Sequence, residues 1–141
     1  MVDIEKKFSE ALTQEKVEAV CQILSDNKGR MVLALDVRDI SKSAEAMIIV
    51  SANSVRHAQG LADHTAKSVA EWNYEMLGME GYKSGQWILM DLNDVLVHIF
   101  QADVRDFFNL EGLWSGAPEM CRMDGGTDDS DDLWDGLEDD L

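Results

Sequence analysis

Hydrophobic and polar positions follow helical and strand periods in turn along the first half of the chain. Apolar residues at i, i+3, i+4 and i+7 from Val17 to Leu24 predict a helix that ends near Asn27 to Gly29. The runs Met31 to Val37 (MVLALDV) and Ala46 to Ser51 (AMIIVS) are short, continuous and rich in Val and Ile. Such runs are typical of strands that are covered on both faces, so we expect two neighbouring strands in one sheet.

A long amphipathic helix should follow the second strand. Apolar residues recur at spacings of three and four from Val55 to Met76, and Asn53 or Ser54 stands where a side-chain cap would begin the helix. The pattern predicts that this helix ends at Leu77 to Gly78 and leads into a loop over residues 79–85.

The run from Gln86 to Trp114 contains two more strands and a helix. Trp87 to Met90 and Val95 to Phe100 read as antiparallel strands, because the Asp and Asn residues of 91–94 suit a tight hairpin. Alternation places the following side chains on one side of their strands: Trp87, Leu89 and Asp91 in the first, and Leu96, His98 and Phe100 in the second. Asp103 then opens a short helix in which Phe107, Leu110 and Trp114 recur at helical spacing, and Pro118 closes the region.

These elements have the order α-β-β-α-β-β-α and predict an α/β fold, with a mixed α+β sheet flanked by helices. A chain of 141 residues with 45% hydrophobic residues has enough material for one domain with a proper core. We divide it into a lead-in (1–13), one domain (14–120) and an acidic tail (121–141).

The net charge of −16 indicates which classes of partner the protein can bind. A negative surface is repelled by phosphate backbones, so direct DNA or RNA binding is not expected and a basic protein is the more plausible partner. From Asp124 to Leu141 the chain has nine acids and no Lys or Arg, which predicts a disordered tail. The tail is either a solvating segment or a short acidic adaptor that docks through Leu133, Trp134 and Leu137.

Other candidate chemistry is sparse. No apolar run is long enough to span a bilayer, and the start MVDIEKKFSE has no signal-peptide pattern, so we expect a cytoplasmic protein without a membrane role. Cys21 and Cys121 are far apart in sequence and suggest neither a zinc site nor a disulfide framework. His57 and His64 are two helical turns apart, about 10 Å, which is too far for one metal ion, and they are expected at the surface.

Several segments between about residues 14 and 118 match one known family when they are taken together. They are LALDVRDIS (Leu33 to Ser41), IIVSANSVRHAQGLAD (Ile48 to Asp63), EGY (Glu80 to Tyr82), and WILMDLNDVLVHIF with RDFFNLEGLW and AP (Trp87 to Pro118). With this set of segments the sequence resembles the ribosomal silencing factor family, also called Iojap-related proteins.

This resemblance implies a topology related to nucleotidyltransferases. It also implies binding to the large ribosomal subunit through its fourteenth ribosomal protein, which would block joining of the small subunit and repress translation. A homodimer of the free protein is left open. The chain departs from the family pattern at Ala52, where a Gly is common, at the turn Leu92-Asn93, and at Phe108, where Tyr is common.

The close acids Asp91 and Asp94 allow two readings. They could hold Mg²⁺ in a nucleotidyltransferase-like enzyme, or they could form a turn and an adhesive surface. The missing Gly at position 52 and the lack of a third placed acid favour the second reading. We therefore predict no catalytic residue, no metal site and no cofactor.

The predicted partner surface combines large apolar side chains with acids, since buried aromatic anchors carry much of the energy of protein interfaces. His98 is either a buried hydrogen-bonded residue or an interface contact. Arg38, Arg56 and Arg105 pair either with local acids or with the ribosome. The predicted partner-binding residues are Trp87, Leu89, Asp91, Asp94, Val97, His98, Phe100, Arg105 and Phe108.

Overall fold

The computed structural model describes residues 2–42, 44–109, 112 and 116–123, with the backbone alone for 2–12 and 106–108. All seven predicted elements are present, together with two further strands. In chain order they are α1 (Val2–Asp26), β1 (Arg30–Asp36), β2 (Ala46–Ala52), α2 (Val55–Glu71), β3 (Gly78–Glu80), β4 (Trp87–Asp91), β5 (Val95–Gln101), α3 (Ala102–Phe108) and β6 (Glu119–Met123).

Helix α1 buries the apolar stripe from Val17 to Leu24, as its spacing predicts. Gly29 follows the helix where a Cβ atom would lie 2.7 Å from both the Leu24 carbonyl oxygen and a Val50 methyl group. A glycine is therefore needed for the close approach of this turn to β2. The helix begins at Val2, so it includes residues 2–13, which were set apart as a lead-in. The division of the chain into domains stays a prediction.

The six strands form one mixed sheet with the order β3-β4-β5-β2-β1-β6. The predicted neighbours β1 and β2 pair antiparallel, as do β4 and β5. The central pair β2 and β5 is parallel, with Ala46 beside Val95 and Ala52 beside Gln101. The mixed α/β sheet with flanking helices is thus confirmed.

Two parts of the sequence reading were wrong. The long helix was expected to reach Leu77 to Gly78, but α2 ends at Glu71, and Asn73 takes a left-handed conformation with φ 61°. The predicted loop over 79–85 begins with strand residues, and a strand that was not predicted covers Glu119–Met123. Strand β3 pairs with β4 at one edge of the sheet, and β6 pairs with β1 at the other. The remainder of the tail, 124–141, lies outside the described residues.

The predicted start of α2 is confirmed, since the Ser54 side chain accepts a hydrogen bond from the backbone N–H of His57. Helix α3 has Gln101 as its N-cap, and Asp103 lies in its first turn. Asn109 follows in a left-handed conformation, so α3 ends at Phe108. Leu110 and Trp114, which were predicted in the same helix, lie outside the described residues.

The sheet separates two unequal cores. Helices α1 and α2 cover one face over a large cluster that includes Ile48, Val50, Met90 and Ile99. The shorter α3 packs against β5 and β2 on the other face, over a smaller cluster around Phe100. Because α3 is only seven residues long, it covers only part of this second face. None of the helices in the described ranges is long and apolar enough to cross a membrane.

The packing of α1 against β6 brings the two cysteines together, which their separation in sequence did not suggest. Cys21 is fully buried and Cys121 is half-buried, and both are free thiols. Burial raises the pKa of the Cys21 thiol, and the adjacent Cys121 raises it further.

Candidate functional site

The part of the second face beyond α3 is the candidate site. Trp87 and Leu89 on β4 and Leu96 on β5 are partly exposed there. Their neighbours on the opposite face, Ile88 and Val97, are fully buried. Two acids border this apolar surface: Asp91 pairs with Leu96, and Glu80 pairs with Leu89. We call the five residues Glu80, Trp87, Leu89, Asp91 and Leu96 the β4–β5 face.

An aromatic cluster supports this face from within the sheet. The Trp87 and Phe100 rings lie 4.9 Å apart, and the His98 ring stacks on Phe100 with an interplanar angle of 6°. Strand alternation predicted that His98 and Phe100 share one side of β5, and the ring contacts place Trp87 of β4 on the same face of the sheet. Phe100 is fully buried and Trp87 is partly exposed, so Trp87 is the accessible member of the cluster.

His98 is neutral in this environment. The Trp87 indole N–H donates to its Nδ1 across 3.1 Å, so Nδ1 has no proton and Nε2 carries the hydrogen. Burial lowers the pKa of His98 to about 4. The buried Nε2–H has no acceptor among the described residues, and such a group costs about 1–3 kcal/mol.

This arrangement predicts an acid-dependent loss of stability. Between about pH 6.5 and 4 the unfolded chain takes up a proton at His98 that the folded protein excludes, so the free energy of unfolding falls by about 3 kcal/mol as the pH drops. Nitrogen NMR of the folded protein should show the neutral Nε2–H form from pH 8 down to pH 5.5. His98→Gln, which can still accept from Trp87, should remove this part of the pH dependence. A protonation midpoint near the ordinary value of 6.5 would contradict the assignment.

The two acids of the β4–β5 turn have different roles. The Asp91 carboxylate accepts the backbone N–H of Asn93, and Asn93 has φ 79°, so these residues build the hairpin turn. Asp94 instead faces α1, where its carboxylate lies 2.6 Å from the Lys16 ammonium and 2.7 Å from the Thr13 hydroxyl. Asp94 therefore joins the turn to α1.

The electrostatics of Asp94 follow from these contacts. Burial alone would raise its pKa, but the hydrogen bonds from Lys16 and Thr13 outweigh burial, and the pKa lies below its ordinary value. Lys16 is itself buried and also donates to the Leu92 carbonyl oxygen across 2.6 Å. The Lys16 ammonium, the Asp94 carboxylate and the Leu92 carbonyl oxygen therefore form one buried polar unit.

Two more predicted partner residues, Val97 and Arg105, are not brought to the accessible surface. Val97 is fully buried on the opposite face, beneath α1 and α2. Arg105 is buried and donates to the Met31 carbonyl oxygen and the Ser51 hydroxyl, each across 2.8 Å. The Phe108 side chain lies outside the described part of the structure.

Conversely, two residues of the β4–β5 face were not among the predicted partner-binding residues. Glu80 was assigned to a loop, because the three-residue strand β3 has no detectable period. Leu96 was placed on the correct side of its strand but was not selected. Alternation along β5 was the available signal for Leu96, whereas the position of Glu80 depends on pairing between strands.

The remaining candidates have local roles. Arg38 binds Asp36 through two side-chain hydrogen bonds, and these lower the pKa of Asp36. The His57 ring accepts the Asn53 N–H at Nδ1, and its Nε2 lies 3.0 Å from the Asn27 carbonyl oxygen. Within the ranges described, no group of three or more His, Cys, Asp or Glu side chains could hold a metal ion.

The fold and this face define a small mixed α/β binding domain with an apolar, acid-bordered sheet surface. A family model described as "Ribosomal silencing factor during starvation" matches residues 10–137. The chain belongs to this ribosomal silencing factor family, whose members act in translation regulation in association with the ribosome.

Individual relatives agree with the family match. The chain is 37% identical over 107 residues to a ribosomal silencing factor of Halalkalibacterium halodurans, covering 76% of this chain and 92% of that protein. It is 38% identical over 101 residues to the factor of Bacillus subtilis, covering 72% and 85%. A crystal structure of a Chromobacterium violaceum protein superposes with a TM-score of 0.71 at 32% identity, covering 72% of this chain and 85% of that one.

Proposed function

We propose that this protein binds the large ribosomal subunit through its fourteenth ribosomal protein and blocks joining of the small subunit. The observation that carries the proposal is the β4–β5 face, an accessible apolar surface with acids on its border in a ribosomal silencing factor. Trp87 and Leu89 supply the apolar contact area. Glu80 and Asp91 select a basic protein surface and orient its approach.

The mechanism is steric and has no chemical step. A domain bound at the subunit interface occupies space that the small subunit needs. The curated relatives are named as silencing factors, which agrees with a protein that acts by binding. We assign the activity to the cytoplasm, and a homodimer through the same apolar face stays a prediction for the free protein.

Sedimentation in a sucrose gradient tests this proposal. The purified protein should comigrate with isolated large subunits, and adding it before the small subunits should reduce the peak of joined ribosomes. Large subunits that lack the fourteenth ribosomal protein should no longer retain it. Absence of the protein from the large-subunit fraction would refute the proposal. Retention on the depleted subunits would refute the assigned partner.

A further inference from the structure

A second apolar surface lies where α2 ends. Trp72, Met76 and Leu77 are 40%, 41% and 60% exposed, and they stand within six positions of the chain. They are half of the six large hydrophobic side chains that are exposed in the described part of the molecule. We call these three residues, with Glu71 and Glu75, the Trp72 patch. Large apolar side chains that are exposed so close to one another along the chain indicate a docking site.

The backbone of this patch is held in place. The Tyr74 N–H donates to the Val69 carbonyl oxygen across 2.8 Å, and the Leu77 N–H donates to the Asp91 carbonyl oxygen across 2.7 Å. The Trp72 ring makes an edge contact with Tyr74, whose ring lies 5.2 Å from the Lys16 ammonium. A surface that is already ordered loses little conformational entropy on binding, which favours affinity.

The negative charge around the Trp72 patch indicates which class of partner binds it. Helix α2 has no basic residue in its last turn, so the negative end of its dipole adds to the exposed Glu71 and Glu75. Lys67, one turn earlier, is the nearest basic residue along the helix. At Glu71 and Glu75 a nucleic acid would be repelled, as would the same patch of a second copy, whereas a Lys- or Arg-bearing protein segment would be attracted.

The patch is continuous with the β4–β5 face around the hairpin tip. The Asp91 carbonyl oxygen accepts from Leu77, while the Asp91 side chain borders the sheet face. The Asn93 amide donates to the Glu75 carboxylate across 3.4 Å on the other side of the same tip. One partner can therefore contact both surfaces.

We propose that the Trp72 patch is a second docking surface, which binds a basic protein segment with an exposed apolar side chain on the same large-subunit partner. This inference rests on the proposed function, because it assumes that the partner of the β4–β5 face also binds the Trp72 patch. The apolar side chain packs between Trp72 and Leu77, and the basic groups face Glu71 and Glu75.

Affinity of the full chain for purified large subunits tests the proposal. The double variant Trp72→Ser with Leu77→Ser should raise the Kd roughly tenfold. Glu71→Lys with Glu75→Lys should also weaken binding, and the remaining affinity should depend less on salt. Met31→Ser is the matched control, because Met31 is 53% exposed but lies at the opposite end of the sheet, beside the Arg30–Ser51 pair.

A photoreactive benzophenone at position 77 identifies the partner. Cross-linking to the fourteenth ribosomal protein supports the inference, and cross-linking to another ribosomal protein or to ribosomal RNA overturns it. If both double variants bind within twofold of the wild type while Leu89→Lys binds weakly, the second surface is refuted and the proposed function stands. If Leu89→Lys also binds normally, the β4–β5 face is excluded from the interface as well, whereas the proposed function fails only if the wild type itself does not bind large subunits. If the Trp72→Ser, Leu77→Ser variant melts at a lower temperature than the wild type, the affinity of the Glu71→Lys, Glu75→Lys variant decides whether the Trp72 patch binds.

Discussion

Lys16→Met should lower the free energy of unfolding by about 2–3 kcal/mol, or about 10 °C in Tm. Methionine keeps the length of the side chain but leaves the Asp94 carboxylate and the Leu92 carbonyl oxygen without their cation. The expected loss lies below the full cost of breaking a buried ion pair, because 26% of the Asp94 side chain is exposed. Urea or thermal unfolding followed by circular dichroism measures it.

The pH dependence of this loss identifies its cause. The folded pKa of Asp94 is below its ordinary value of 3.8, so the ion pair stabilises the protein above that pH. As the pH falls through the folded pKa, Asp94 is protonated and the wild type loses this contribution. The difference between wild type and Lys16→Met should therefore narrow below about pH 4.

A double-mutant cycle separates the ion pair from simple packing. Asp94→Asn in the Lys16→Met background should cost less than Asp94→Asn in the wild type, because the carboxylate is already unpaired. Additive losses would show that Lys16 and Asp94 do not interact, and would contradict the buried polar unit.

Leu89→Lys should weaken binding to large ribosomal subunits by roughly 30-fold or more, which corresponds to about 2 kcal/mol. The substitution removes an apolar contact at the centre of the β4–β5 face. It also places a positive charge between Glu80 and Asp91, the acids that would attract a basic partner. The fold should be retained, because Leu89 is partly exposed and a lysine stem can cover the same surface.

Met31→Lys provides the control for this experiment. It adds the same charge at an exposed apolar position at the far end of the sheet, so its effect on affinity should be small. Pelleting of each variant with large subunits gives the Kd, and thermal unfolding confirms the fold. Equal affinity of Leu89→Lys and the wild type would exclude the β4–β5 face from the interface.

The sequence was most informative where burial sets a regular period. The α1 stripe from Val17 to Leu24, the strands β1, β2, β4 and β5, and the Ser54 cap all follow from local patterns. The end of α2 did not, because Trp72 and Met76 continue the apolar spacing although they are exposed beyond the helix. An apolar period records which residues are apolar, and it does not distinguish core from docking surface.

The candidate site was only partly predictable for a related reason. Trp87 and Leu89 could be assigned to one side of β4, but the burial of Val97 depends on which face carries the two long helices. The roles of Asp94 and Arg105 depend on contacts with Lys16 and Ser51, which are distant in sequence. Edge strand β3 has three residues and is too short to show alternation, and edge strand β6 has no fully buried side chain. Both strands form by pairing with the backbone of a neighbouring strand.

The pairing of β6 with β1 affects how this protein is made. Val32 pairs with Met123, so the sheet cannot be completed until the chain has been synthesised past residue 123. Such long-range pairing slows folding, and until then the other side of β1 is an unpaired edge. A nascent chain that stops before Glu119 would expose the backbone of β1 to pairing with other chains. Incomplete translation products of this translation regulator should therefore be prone to aggregate.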